Sequence, residues 1–212
     1  MSVARVVVCD VDGVVRHFDA AQQALIEARY GLAAGVIGAL AFDPQLLLPA
    51  ITGAVPDDIW RASIAVEIRR RWPSIDAAAA VAAWSASPGA ADDGVVDLLR
   101  RTRARVPVLA LTNATTRLQA DLARLRLASL FDYVVSSADI GHAKPAAEAY
   151  DATHEAATRL LGTATLDPQS VLFVDDDAVN VEAAAAFGWT AIRFTGSSQL
   201  AAALRASGVL PT

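Results

Sequence analysis

The chain has 212 residues, of which 54% are hydrophobic and 19% charged, and its net charge at pH 7 is -5. This composition supports a sizeable hydrophobic core, argues against disorder, and gives no support for nucleic acid or an anionic membrane surface as a partner. Cys9 is the single cysteine, so no internal disulfide can form, and the sequence shows neither a leader segment nor an apolar run of about 20 residues. We therefore expect a soluble, cytoplasmic protein.

Short runs rich in β-branched residues alternate with longer segments rich in Ala, Leu, Arg and Glu. The short runs are typical of buried strands and the longer segments of helices. This alternation predicts an α/β fold, with a parallel sheet covered by helices on both faces. The predicted strands are residues 3–9, 106–111, 133–136, 171–174 and 190–194.

The segment 18–89 interrupts this alternation, because it shows only helical pattern. Its clearest helix lies between Pro56 and Trp72, with two aspartates in its first turn and three arginines in its last, as the helix dipole favours. We therefore expect a helical insertion that separates residues 1–17 from residues 90–212.

Helix ends are marked at three further places. Pro145 predicts a helix start, with the helix running to about Leu161. A second helix is expected from about Ala178 to Gly188. A third is expected to start at Thr115 or Thr116.

Two aspartates follow the first predicted strand. Asp10 and Asp12 lie two residues apart and are followed by glycine, so alternation along a strand would point both carboxylates to the same side. The carboxyl end of a parallel strand is where open sheets bind ligands. A turn with two solvated acids is the simpler alternative for this pattern alone.

Polar side chains also end the second predicted strand. Thr112 and Asn113 offer a hydroxyl and an amide next to an expected helix start, where backbone N–H groups favour anions. Both residue types are also ordinary helix caps, so this signal is weak by itself. Lys144 directly precedes the expected helix at Pro145, where the helix dipole disfavours a cation unless an anionic site lies nearby.

Three consecutive aspartates, residues 175–177, follow the predicted strand 171–174. Their mutual repulsion is costly. Bound Mg²⁺ would relieve it, because this ion prefers carboxylate and water oxygens. Helix capping explains only one of the three acids.

The order of these four motifs along the chain closely resembles that of the haloacid dehalogenase (HAD) superfamily. The motifs are the Asp-x-Asp-Gly at Asp10, Thr112-Asn113, Lys144-Pro145 and Asp175-Asp176, and they span almost the whole chain. The resemblance is strongest to the small phosphatase branch with a helical cap of the C1 type. It implies a Rossmann-like core of residues 1–17 and 90–212, and a cap of residues 18–89.

The resemblance also implies a role for each motif. Asp10 would be a nucleophile that becomes aspartyl-phosphate, and Asp12 would handle protons. Thr112 and the backbone of Asn113 would hold the phosphoryl oxygens, and Lys144 would neutralise charge. Magnesium would be bound by Asp10, by the backbone carbonyl of Asp12 and by Asp176, with Asp175 as an outer or water-mediated ligand and Asn180 orienting the acidic loop.

The implied activity is hydrolysis of the phosphate monoester of a small metabolite. Sugar phosphates and nucleoside monophosphates are the leading candidate substrates. The candidate substrate-binding residues are Arg16, His17, Trp60 and Arg61, beside Asn113. A phosphomutase would share every motif, and a haloacid dehalogenase or a catalytically silent binding protein is a further alternative. A dehalogenase of this superfamily would lack the second aspartate, and a silent relative would have lost a motif.

Overall fold

A computed structural model describes residues 3–211, and its strands form one large parallel sheet and one small ribbon. The strands in the described residues are β1 (Val6–Cys9), β2 (Arg16–His17), β3 (Ala90–Ala91), β4 (Val108–Thr112), β5 (Tyr133–Ser136), β6 (Val171–Asp175) and β7 (Thr190–Arg193). Five of them pair in parallel in the order β5-β4-β1-β6-β7, and β2 pairs with β3 in antiparallel fashion. The predicted parallel sheet is confirmed, with strand ends shifted by three residues or fewer.

Helices cover both faces of this sheet. The α-helices in the described residues are α1 (Ala20–Arg29), α2 (Val36–Ala41), α3 (Pro44–Ile51), α4 (Asp57–Arg71), α5 (Ala77–Trp84), α6 (Asp93–Arg103), α7 (Leu118–Arg124), α8 (Ser137–Ile140), α9 (Ala147–Leu160), α10 (Ala178–Phe187) and α11 (Ser197–Ala206). Buried residues of α6, α7 and α11 share one core with the sheet, and those of α9 and α10 share the other. The Rossmann-like α/β fold is therefore confirmed. Within residues 3–211, every helix is too short or too polar to cross a membrane.

The helices α1 to α5 form a separate layer between β2 and β3. The described residues from 18 to 89 contain no strand, and they bury a core of their own that includes Ile37, Ile64 and Ile68. This helical segment approaches the rest of the protein closely at Gly53, whose φ is +74°. A Cβ atom at Gly53 would lie 2.1 Å from the backbone oxygen of Ala138, so only glycine permits this contact.

Two of the three helix starts expected from sequence are wrong. Helix α9 begins at Ala147 rather than at Pro145, because Ala146 still has an extended backbone. Helix α7 begins at Leu118 rather than at Thr115 or Thr116. The hydroxyls of these threonines form hydrogen bonds with Asp57 of the helical segment instead of capping α7. The third expectation is confirmed, since α10 runs from Ala178 to Phe187 and ends at Gly188.

Asp57 connects the helical segment to the loop after β4. Its carboxylate oxygen Oδ1 accepts a hydrogen bond from the Thr115 hydroxyl at 2.7 Å, and its backbone N–H donates to the Thr116 hydroxyl at 3.0 Å. Its other oxygen accepts from Arg61 at 2.7 Å. The hydroxyls of both threonines are therefore engaged across the boundary between the two layers.

Candidate active site

Four of the side chains that the sequence motifs predict for the site lie at one edge of the sheet. Asp10 follows β1, while Thr112 and Asp175 are the last residues of the two strands on either side, β4 and β6. Parallel neighbours end at the same edge of a sheet, which brings these positions together. Lys144, from the loop between α8 and α9, is the fourth, and all four residues are buried.

Lys144 is held between two carboxylates. Its Nζ lies 3.0 Å from Asp10 Oδ1 and 2.6 Å from Asp175 Oδ2. Burial alone would lower the pKa of Lys144, but the charges of Asp10 and Asp175 outweigh it and the net shift is upward. The two carboxylates therefore favour the cationic form of Lys144 at the centre of the site.

Asn113 fixes the backbone of Lys144. Its side-chain Oδ1 accepts a hydrogen bond from the Lys144 N–H at 2.8 Å, and its Nδ2 donates to the Lys144 carbonyl at 2.9 Å. Both ends of the amide are thus engaged, so the Asn113 side chain positions the lysine. Only the backbone of Asn113 is left for the phosphoryl role that the resemblance implied.

Asp10 keeps one carboxylate oxygen open. Its backbone N–H donates to Val174 at 2.9 Å, and its Oδ1 accepts from the Val11 N–H at 2.7 Å. Among the described residues, nothing donates a hydrogen bond to Oδ2. Burial, opposed by Lys144 and reinforced by Asp175, raises the pKa of Asp10 to about 7.

Three carboxylates converge beside Lys144. Asp10, Asp175 and Asp176 each place one oxygen within 4.8 Å of the others. Set against the single ammonium group of Lys144, they leave two negative charges uncompensated, which is the charge of one divalent cation. Burial and the neighbouring Asp175 raise the pKa of Asp176, as expected for carboxylates crowded together. An all-oxygen donor set of this kind suits a hard cation.

The acidic loop is held in place by hydrogen bonds and by a glycine. Asp175 accepts from the Asp177 N–H at 2.8 Å and from the Asn180 amide at 3.2 Å, which agrees with the orienting role expected for Asn180. Asp176 packs over Gly13, where an added Cβ would lie 2.3 Å from its carboxylate. The glycine after Asp12 therefore makes room for Asp176.

The Asp12 carboxylate lies outside this cluster because Arg16 engages it. A tight turn, closed by a hydrogen bond of 2.9 Å from the Gly13 N–H to the Arg16 carbonyl, brings the two side chains together. Arg16 donates from Nε to one Asp12 oxygen and from Nη2 to the other, the latter at 2.8 Å. Arg16 is buried and also lies 3.4 Å from Asp121. The structure thus pairs this proposed substrate residue with Asp12.

The Thr112 hydroxyl has no partner among the described residues. The residue is fully buried, and its Oγ1 makes no hydrogen bond. A buried hydroxyl without a partner is costly, so such a group at a strand end is a candidate for binding a ligand.

A cavity of about 280 Å³ opens between the helical segment and the sheet edge. Asp12, Arg16, Asn113 and Trp60 contribute to its wall. His17 does not line it; its side chain is about half exposed, and its Nε2 lies 3.9 Å from Asp92 Oδ2. Arg61, which pairs with Asp57, does not line it either.

Sequence reasoning missed several residues of this cavity. Arg117 and Asp121 form an ion pair of 3.0 Å on its wall, and their spacing of four residues in a helical pattern could have indicated the pair. Nothing in the sequence linked Phe42 or Trp84 to the site, because the folding of the helical segment brings them there.

Solved structures with the same fold include enzymes of two kinds. A HAD family enzyme from Bacteroides thetaiotaomicron, in complex with magnesium and inorganic phosphate, has a TM-score of 0.68 at 19% identity, with 91% of this chain and 94% of that chain covered. L-2-haloacid dehalogenase from Xanthobacter autotrophicus, with chloropropionic acid covalently bound, has a TM-score of 0.65 at 23% identity, with 98% and 85% covered. At such identities the likeness shows the fold alone.

A third structure with this fold is described as a predicted HAD-like family hydrolase from Porphyromonas gingivalis, with a TM-score of 0.69 at 21% identity and 97% and 98% of the two chains covered. No curated protein matches the chain in sequence. The family model for haloacid dehalogenase-like hydrolases, however, matches residues 4–188. The match spans most of the chain, which therefore belongs to the haloacid dehalogenase-like hydrolase family.

Proposed function

We propose that this hydrolase is a magnesium-dependent phosphatase that cleaves the phosphate monoester of a small metabolite through an aspartyl-phosphate on Asp10. One observation carries the proposal. A buried aspartate with a free outer oxygen lies beside a lysine and two further carboxylates, in a cluster that lacks the charge of one divalent cation. Such charge compensation is what phosphoryl transfer requires.

The donor set suits Mg²⁺. Asp10, Asp175 and Asp176, together with the backbone carbonyl of Asp12, would hold the ion. When bound, it would supply positive charge beside the phosphoryl group and the nucleophile. The comparison enzyme from Bacteroides, which was solved with magnesium and phosphate, supports this choice by analogy.

The residues of the chain divide the remaining work. Asp10 Oδ2 would form a bond to phosphorus as the bond from phosphorus to the leaving oxygen breaks. Lys144 would hold Oδ1 of Asp10 and neutralise the phosphoryl group. The unpartnered hydroxyl of Thr112 and the backbone N–H of Asn113 would donate hydrogen bonds to phosphoryl oxygens.

Asp12 would move the protons. It would give one to the leaving oxygen, and it would later take one from the water that attacks the phosphoenzyme and releases inorganic phosphate. Arg16 holds both oxygens of Asp12 in the described arrangement, so one of these bonds must open for the transfer.

Residues 18–89 would act as a cap over a catalytic core of residues 1–17 and 90–212. In this proposal the cap supplies most of the wall of the leaving-group pocket, with Trp60 as one contact. The haloacid dehalogenase has the same fold but is named for a different reaction, so the fold alone does not decide between the two. The second aspartate and the acidic loop favour phosphoryl transfer for this chain.

The metal requirement provides the test. Phosphate release from a panel of phosphorylated metabolites should need Mg²⁺ and should stop in excess chelator. Asp176→Asn should lower activity at fixed Mg²⁺ by about 100-fold or more, because the site loses one metal ligand.

The matched control is Asp177→Asn. Asp177 adjoins Asp176 but only caps α10, with its carboxylate accepting from the Val179 N–H at 2.8 Å, and asparagine caps a helix equally well. This variant should retain activity within a few-fold. Full turnover in chelator, or equal losses in both variants, would contradict the proposal.

A further inference from the structure

We infer that the pocket beside Asp12 selects a flat aromatic leaving group, so that the preferred substrate is a phosphate monoester of an alcohol carrying one or two rings. A polyhydroxy sugar phosphate would be disfavoured. The inference rests on the proposed function, since it specifies the group that the same site releases.

Aromatic side chains form much of the cavity wall. Phe18, Phe42, Trp60 and Trp84 all line it, and they come from four separate places along the chain. Phe42 and Phe18 are 67% and 45% exposed, whereas Trp60 and Trp84 are partly buried against the core of the helical segment. The Arg16 guanidinium lies 5.1 Å from the centre of the Phe18 ring, which leaves the exposed Phe42 ring as the main surface on which a flat ligand can stack.

The charged groups of the wall already have hydrogen-bond or ion-pair partners. Arg16 binds both oxygens of Asp12, and Arg117 lies 3.0 Å from Asp121. Asp57 accepts hydrogen bonds from two partners outside the aromatic wall. Of the lining residues, Gln23 keeps a side-chain amide without a partner among the described residues, which is too little for the several hydroxyls of a sugar, most of which would lose their water without a replacement.

The size of the cavity agrees with this class. Its volume of about 280 Å³ is roughly twice the cavity of about 150 Å³ that accommodates benzene in a protein core. One or two rings would fill it. The wall also includes Asp12 and Asn113, so a ligand in the cavity reaches the residues proposed to act on the leaving oxygen and the phosphoryl group.

A kinetic comparison tests the preference. The substrates are 2-phenylethyl phosphate, glucose 6-phosphate and glycerol 3-phosphate, which all release a primary alcohol, so the chemical step makes similar demands. We expect kcat/KM to be about tenfold or more higher for 2-phenylethyl phosphate, from the apolar area buried by its ring. Phe42→Ala should reduce this ratio several-fold. Tyr133→Ala, which truncates an exposed ring of β5 that does not line the cavity, should leave the ratio unchanged.

A binding measurement is independent of turnover. The chain has four tryptophans, of which Trp60 and Trp84 line the cavity and Trp72 and Trp189 do not. Titration with 2-phenylethanol should shift the indole N–H resonances of Trp60 and Trp84 in the NMR spectrum and leave the other two in place.

The aromatic preference and the proposed function would be contradicted by different results. If the sugar phosphates are hydrolysed as well as 2-phenylethyl phosphate, or if the alcohol shifts no indole resonance or only those of Trp72 and Trp189, the aromatic preference is wrong. If no substrate releases phosphate, including the reactive anhydride acetyl phosphate, the proposed function fails, while the indole shifts still decide what the cavity binds.

Discussion

At the scale of single residues, Thr112 links folding and function through one buried hydroxyl. Its Oγ1 has no partner in the described part of the chain, and we propose that it donates to the phosphoryl group. Thr112→Val replaces the hydroxyl with a methyl group of similar size. We expect activity to fall on the order of 100-fold, as for loss of one donor to a developing charge. The free energy of unfolding should stay the same or rise by about 1 kcal/mol.

Thr102 is the matched control for this substitution. It is also fully buried with an unpartnered hydroxyl, but it lies in α6, away from the sheet edge. Thr102→Val should change the free energy of unfolding in the same way and leave phosphate release unaltered. Equal activity of the two variants would remove Thr112 from the site.

Asp10 predicts how the stability of the metal-free protein depends on pH. Burial, opposed by Lys144 and reinforced by Asp175, raises its pKa to about 7 from 3.8. The unfolded chain therefore releases this proton first as pH rises, so the free energy of unfolding should fall between about pH 4 and about pH 7. The loss is roughly 4 kcal/mol at most.

Asp10→Asn should remove most of this pH dependence. Urea unfolding in chelator would measure it, with Asp97→Asn, a substitution of an exposed aspartate in α6, as the control that leaves the slope intact. The same slope in wild type and Asp10→Asn would show that another group causes it.

Residue patterns predicted which residues lie at the site better than they predicted the contacts between them. Asp10, Thr112, Lys144 and Asp175 could be named in advance because each follows or precedes a run with clear strand or helix character. The bonds from Arg16 to Asp12 and from Asn113 to Lys144 could not. The first depends on a turn, and the second joins positions 31 residues apart.

At the scale of elements, the turn after β1 leaves the space in which the acidic loop after β6 is positioned. Gly13 has a φ of +84°, and a Cβ there would lie 2.3 Å from Asp176. Gly13→Ala should displace Asp176, so the increase in melting temperature that Mg²⁺ gives the wild type should be lost, together with activity.

Gly35 supplies a control with the same backbone conformation. Its φ is also +84°, but an added Cβ would meet nothing within 4 Å. Gly35→Ala should carry a similar backbone cost of about 1–2 kcal/mol and keep both the Mg²⁺ effect and activity. If Gly35→Ala also loses the Mg²⁺ effect, backbone strain rather than the clash with Asp176 explains the result.

Sequence periodicity predicted which segments are helices and which are strands, but the predicted starts of two helices were wrong. Thr115 and Thr116 look like helix caps in sequence, but their hydroxyls bond to Asp57 in the helical segment. A local pattern cannot reveal that a distant element competes for the same hydroxyl. Trp60 was named in advance, but Phe18, Phe42 and Trp84 were not, because a local pattern cannot show that rings from separate segments meet at one cavity.

At the scale of the whole molecule, the parallel sheet assembles the site from distant parts of the chain. Strands β4, β1 and β6 are neighbours, so residues near positions 10, 112 and 175 meet at one edge, and Lys144 reaches them from a loop. The helical segment then closes over this edge through Asp57 and Gly53. In our account, residues at the sheet edge carry out the reaction, and residues of the helical segment select the leaving group.

The central claim is that two aspartates two residues apart do different work. Asp10 is buried with its Oδ2 free, and Asp12 faces the cavity in a pair with Arg16. Asp10→Asn should therefore prevent the phosphoenzyme from forming. Asp12→Asn should slow its formation mainly for alkyl esters, because aryl esters leave with little help from an acid.

Rapid-quench trapping with p-nitrophenyl phosphate and Mg²⁺ tests this claim most directly, with mass spectrometry to locate the phosphoryl group. Asp12→Asn should accumulate phosphorylated Asp10, because hydrolysis of the intermediate lacks its base and slows by about 10²–10⁴-fold. Asp10→Asn should show no phosphoenzyme. Loss of the intermediate in both variants, or a phosphoryl group on any residue other than Asp10, would contradict the account.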